Sequence, residues 1–131
     1  MDYYSEFFKM KVLVVDDSKV IRMLIEECIA ALGHDVIHAE NGEEGVERSL
    51  EVMPDLILMD VVMPKMNGFQ ATRKITKDDR TKHIPVIIVT SKDQETDIMW
   101  GKRQGASDYL IKPADEEQLQ LTVDRFLAES A

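Results

Sequence analysis

Short apolar runs alternate with amphipathic stretches along almost the whole chain, and this alternation constrains the fold more than any other feature. From Lys11 on, the runs are Val12-Leu13-Val14-Val15, Val36-Ile37, Leu56-Ile57-Leu58-Met59, Val86-Ile87-Ile88-Val89 and Tyr109-Leu110-Ile111. Three of them are continuous and β-branched or Leu-rich, the pattern of strands buried on both faces of a parallel sheet. Between the runs the period changes. Ile21, Leu24, Ile25, Cys28, Ile29 and Leu32 predict a helix with those residues on its buried stripe, ending at Gly33. Val46, Leu50 and Met53 predict a second helix stopped by Pro54, and Phe69, Thr72 and Ile75 a third opened by Asn67 as cap. Gln94 to Gln104 read as a fourth, ended at Gly105. Leu119, Val123, Phe126 and Leu127 read as a fifth, begun at Asp115 after Pro113. Five strand-helix units in strict alternation imply an α/β fold, a doubly wound parallel sheet with helices on both faces.

At 131 residues the chain has room for one such domain and not for two. Residues 11–131 are expected to form it, with residues 1–10 as a short extension carrying Tyr3, Tyr4, Phe7 and Phe8. A formal net charge of -9 repels phosphate backbones, so no nucleic-acid partner is expected. No apolar run approaches the ~20 residues of a membrane span, and no basic-then-apolar export signal opens the chain. Cys28 is the single cysteine, which excludes an intrachain disulfide or a Cys-based zinc site. A cytoplasmic protein without membrane insertion is the expectation.

In a doubly wound sheet, ligands bind at the carboxyl ends of the strands. The first strand ends in Asp16-Asp17, the third in Asp60, the fourth in Thr90-Ser91 and the fifth in Lys112-Pro113. Singly, each has a plainer reading: a helix cap for Asp17 or Ser18, a strand residue for Thr90, a solvated cation for Lys112. Together they converge on one crevice. Asp60 follows an apolar strand, where burial disfavours its charge, and neighbouring carboxylates add repulsion. A cation relieves such a cluster, and three oxygen donors without His or Cys suit a hard ion such as Mg2+. With the Lys112 ammonium and the Thr90 hydroxyl, the set fits a phosphoryl group, one carboxylate serving as nucleophile.

Val14-Val15-Asp16-Asp17-Ser18, the stretch from Asp55 to Pro64, Asn67-Gly68, the stretch from Pro85 to Ser91, and the stretch from Gly105 to Pro113 together resemble the receiver domain of two-component response regulators. The resemblance spans roughly Lys11 to Ala128 and is nearest to stand-alone CheY-like members. His83 to Gly101 and Gly68 to Arg73 are similar to the type IV pilus, twitching-motility group. This implies a flavodoxin-like five-stranded sheet of order 2-1-3-4-5 with five helices. It also implies a phosphorylation-activated switch that is not an enzyme beyond its own phosphorylation and slow self-dephosphorylation. Asp60 would take the phosphoryl group from a sensor histidine kinase or its phosphotransfer domain. Asp16, Asp17 and Asp60, with the Val62 backbone carbonyl, would hold Mg2+. Lys112 would contact the phosphoryl oxygens, Thr90 would move toward them, and Tyr109 would rotate inward. Lys112-Pro113 would be cis, and Gly68 would allow tight backbone beside the site. The protein would act as a monomer on a downstream target protein through Ile98, Lys102, Tyr109, Ile111, Asp115 and Thr122.

Two other readings share the fold. A phosphohydrolase would carry its nucleophile on the first strand in an Asp-x-Asp pattern, where this chain has Asp16-Asp17-Ser18-Lys19. A flavin-binding electron carrier would need a Ser/Thr/Gly-rich loop there, where the acidic pair repels phosphate. One departure from chemotaxis-type receivers bears on signal lifetime. Val62 and Lys92 stand where those members carry an amide and a carboxylate to orient the hydrolytic water, so slow self-dephosphorylation is expected.

Overall fold

The computed structural model describes residues 9–130. Five strands, β1 (Lys11–Val15), β2 (Asp35–Ala39), β3 (Leu56–Met59), β4 (Val86–Thr90) and β5 (Asp108–Ile111), alternate with five helices. The helices are α1 (Lys19–Ala30), α2 (Gly42–Val52), α3 (Gly68–Lys77), α4 (Glu95–Arg103) and α5 (Glu116–Ser130). All strand pairs are parallel and the order is β2-β1-β3-β4-β5, the flavodoxin-like arrangement expected. The aromatic residues of the N-terminal extension lie outside the described residues. Met10, just before β1, is already tied to the start of β2. Its N–H donates to His34 Nδ1 at 3.1 Å, and its carbonyl accepts from Asp35 N at 2.9 Å.

The three central strands are buried along almost their whole length because helices cover both faces. Their side chains alternate between two cores. Val12, Val14, Leu56, Leu58, Ile87 and Val89 meet α1 and α5, while Leu13, Val15, Ile57, Met59 and Val86 meet the α2 and α3 side. β1 and β3 therefore end side by side, with Asp60 N donating to Val15 O at 2.9 Å.

Two helix stripes differ from expectation. On α1, Ile25 and Ile29 are buried, but Leu24 is exposed and Cys28 only partly covered. The contact with the sheet is narrower than the apolar stripe, and the outer residues line a groove toward α5. On α2 the buried residues are Gly42, Gly45 and Ser49, not the Val46–Leu50–Met53 series. A Cβ on Gly45 would press on the Val15 side chain, so small residues let this helix lie close to β1. Met53 is a left-handed C-cap at φ 51° rather than part of the stripe. Asn67 caps α3 as expected, accepting from Gln70 N at 2.9 Å while Gln70 Oε1 accepts from Asn67 N at 3.0 Å.

Candidate functional site

The sequence of β1 places Asp16 just beyond its last core residue, where the strand must release the chain into α1. Every polar atom of Asp16 is held. Its N–H donates to Ala39 O at 3.1 Å, and its Oδ1 accepts from Ser18 N at 2.9 Å. Its Oδ2 accepts from Lys112 Nζ at 2.6 Å, and its carbonyl accepts from Arg22 Nη1 at 2.5 Å. Ser18, not Asp17, is the α1 N-cap, its Oγ accepting from Ile21 N at 3.2 Å. Asp17 therefore keeps its exposed carboxylate free of a capping role.

Asp60 follows β3 and is buried. Its Oδ1 accepts from Val61 N at 2.8 Å and lies 3.5 Å from Lys112 Nζ. Burial pushes its carboxyl above the ordinary Asp range, and the Asp16 charge adds to that. Lys112, the Val61 N–H and the Thr90 hydroxyl pull the other way, and burial prevails. The backbone beside it is tight for a visible reason. A Cβ on Gly68 would collide with the Asp60 carbonyl, so the turn from Asp60 into α3 requires glycine there. Lys112 closes the crevice from the end of β5, joined to Pro113 by a cis peptide.

One oxygen each from Asp16, Asp17 and Asp60 lies within 4.8 Å of the others. Three carboxylate oxygens at that spacing, one exposed and two buried, match the donor set of a hard divalent cation that keeps part of its water shell. Thr90 is fully buried at the end of β4, its Oγ1 accepting a long 3.4 Å bond from Lys92 N. Tyr109 pairs beside β4 in register with Ile88, and its hydroxyl donates to Lys92 O at 2.7 Å. Val62 is 60% exposed at the mouth of the crevice. Lys92 is directed away from it, its Nζ 3.7 Å from Asp97 Oδ1.

The structure thus brings Asp16, Asp17, Asp60, Thr90 and Lys112 to one end of the sheet. Of the surface residues named from the sequence, Lys102 and Asp115 are exposed, while Ile98, Tyr109, Ile111 and Thr122 are partly covered. Met99 and Trp100 are the large apolar residues that α4 exposes. Arg22 was missed. Its one sequence signal is a cation one turn after the Ser18 cap, whose carbonyl accepts from Arg22 N at 3.0 Å.

A flavodoxin-like sheet with an acidic triad and a lysine at its strand ends defines a phosphoryl-signalling regulator. The chain belongs to the response regulator receiver domain family, whose model matches residues 12–124. It is 55% identical over 118 residues to Protein PilH of Pseudomonas aeruginosa, covering 90% of this chain and 98% of that protein. Among solved structures it is similar to chemotaxis protein CheY4 of Vibrio cholerae. That match has a TM-score of 0.84 and 31% identity, over 90% of this chain and 98% of the other. A putative response regulator from Chloroflexus aurantiacus gives a TM-score of 0.87 and 28% identity, over 92% and 98% of the two chains. Among the described residues, no helix is long and apolar enough to cross a membrane.

Proposed function

We propose that Asp60 accepts a phosphoryl group from a phosphohistidine of a sensor histidine kinase or its phosphotransfer domain, and that the phosphorylated chain signals to a downstream protein. One observation carries this reading: three carboxylates converge within 4.8 Å, and Lys112 bridges two of them. A carboxylate oxygen of Asp60 forms the new O–P bond as the P–N bond breaks. The electron pair stays on the imidazole nitrogen, which is left neutral once the ring carries one proton. Lys112, already between the two buried carboxylates, meets the negative charge on the incoming oxygens.

Asp16, Asp17 and Asp60, with the Val62 carbonyl, would hold Mg2+, which when bound neutralises charge on the transferring group. Thr90 and Tyr109 form the switch. Phosphorylation replaces one charge on Asp60 by about two and adds acceptor oxygens, which favours an arrangement bringing the Thr90 hydroxyl closer. The readout is the surface of α4, β5 and α5 around Ile98, Lys102, Tyr109, Ile111, Asp115 and Thr122. The likeness to PilH supports a role in twitching motility, and the chain acts as a signalling receiver rather than by turning over a substrate.

Acetyl phosphate with Mg2+ should add one phosphoryl group to the protein, seen by intact mass, and none to Asp60→Asn. Equal labelling of that variant would overturn the assignment. Labelling mapped to Asp16 would favour the phosphohydrolase reading.

A further inference from the structure

Helix α4 spans nine residues, and its one buried residue is Gly101. Glycine inside a helix is destabilising relative to alanine, so its presence there calls for a packing reason. The reason lies across the sheet. A Cβ at position 101 would stand 2.9 Å from Tyr109 Cε2, 3.0 Å from Tyr109 Cδ2 and 2.9 Å from Ile88 Cδ1. Ile88 Cδ1 is the tip of a flexible side chain and can give way. The tyrosine ring is less free, because it is tethered at both ends. Its backbone is paired in β5, and its hydroxyl donates to Lys92 O at 2.7 Å. Tyr109 and Ala106 pack against the small cluster of Val61, Phe69 and Ile88. Burial, with the charges of Asp97, Asp93 and Asp60, pushes the phenol up to about 12.

The Lys92 residue that accepts this bond also reaches Thr90, its N–H lying 3.4 Å from Thr90 Oγ1. The Tyr109 hydroxyl is therefore linked through Lys92 to the hydroxyl beside Asp60. The ring is thus one of the ties on the β4–α4 loop.

We propose that Gly101 is a positioning residue: the space left by its missing side chain is the slot in which the Tyr109 ring lies, and a methyl group there drives the ring outward and breaks its bond to Lys92. The consequence for signalling rests on Tyr109 serving as the switch; the slot itself does not. A plainer role, in which Gly101 merely lets α4 approach the sheet, makes a different forecast, because the methyl would then collide whether or not the ring is present.

The experiment uses the full chain with Tyr3→Phe and Tyr4→Phe, which leaves Tyr109 as the single tyrosine of the three in the sequence. With ring carbons labelled, Gly101→Ala should move the Tyr109 resonances of the resting, metal-free protein toward those of an exposed tyrosine. Resonances unchanged by the methyl would overturn the slot. The same methyl is then added to Tyr109→Ala. With the ring gone, the melting temperature should rise by a few degrees from the gain in helix propensity. A methyl that lowers the melting temperature as much without the ring as it does with Tyr109 present would overturn the slot in favour of simple helix approach. Finally, with Mg2+ and beryllofluoride, Gly101→Ala should still bind the fluoride complex, while the Tyr109 response shrinks several-fold. If Tyr109 ignores beryllofluoride even with Gly101 present, the switch reading fails, and the resting spectra alone decide the slot.

Discussion

Beyond β1, four polar atoms of Asp16 are each bonded, at 2.5 to 3.1 Å, to four different residues. Beyond β4, α4 opens on a capping box between Gln94 and Asp97 whose Gln94 N to Asp97 Oδ2 contact is long at 3.3 Å, and the helix buries a single glycine. The helices that follow differ in the same sense. Both expose large apolar residues, but α1 seats Ile25 and Ile29 in the core, whereas α4 buries no residue beyond Gly101. On the proposed reading, the groups that do chemistry are thus built into the tightly bonded end, and the flank that would answer is loosely attached. An element with few buried apolar contacts needs little energy to shift, so adding about one charge at Asp60 can move it.

The largest effects should come from breaking the bonded end. Lys112→Ala leaves two buried carboxylates facing each other without their cation. We expect phosphoryl loading from acetyl phosphate to fall about 100-fold. Mg2+ binding, read by calorimetry, should tighten several-fold because a competing charge is gone. A parallel loss of both would mean that Lys112 holds the fold rather than the phosphoryl oxygens.

Next in size is the lifetime of the signal, which sharpens the comparison because it depends on the boundary between the two regions. Val62 offers no hydrogen bond, and Lys92 is turned toward Asp97. Val62→Asn with Lys92→Glu should speed self-dephosphorylation about tenfold, if one oriented water contact is worth ~1.4 kcal/mol. A decay rate unchanged in saturating Mg2+ would place the limit elsewhere in the loop.

Arg22 tests whether the bonded end is held from below. A charged hydrogen bond to a backbone carbonyl contributes ~1.5 kcal/mol, so Arg22→Met should weaken Mg2+ binding about tenfold. Arg22→Lys, which keeps a donor, should recover most of it. Equal affinity in all three proteins would remove Arg22 from the account.

The smallest effect is on stability. The Asp60 carboxyl titrates above its ordinary value because burial disfavours its charge. Its ionisation therefore costs stability above the raised pKa, and that cost fades as pH falls through the raised value toward the unfolded one. In EDTA at neutral pH, Asp60→Asn should melt a few degrees higher than the unaltered protein, and the gap should narrow in acid. A gap that widens in acid would contradict the burial argument.

Much of the fold was legible because parallel strands covered on both faces write themselves as continuous apolar runs, and all five runs became strands. The strand ends were legible for the same reason, since Asp16, Asp60, Thr90 and Lys112 interrupt those runs. What failed was reading contact from helical period alone. Leu24 lies on the stripe of α1 yet is exposed, because the stripe is wider than the strip the sheet can cover. α2 packs through Gly45 and Ser49, and small residues carry no hydropathy signal. Gly101 was invisible for a related reason: its role is a space, defined by a ring eight residues further along the chain and one strand across.

The contrast between α1 and α4 is most directly tested by amide hydrogen exchange of the full chain with Mg2+, before and after adding beryllofluoride. Exchange should change in the β4–α4 loop and along α4 (Glu95–Arg103), while α1 (Lys19–Ala30) keeps its rates. Changes of equal size in both helices, or changes confined to α1 and the loop that carries Asp16 and Asp17, would contradict it.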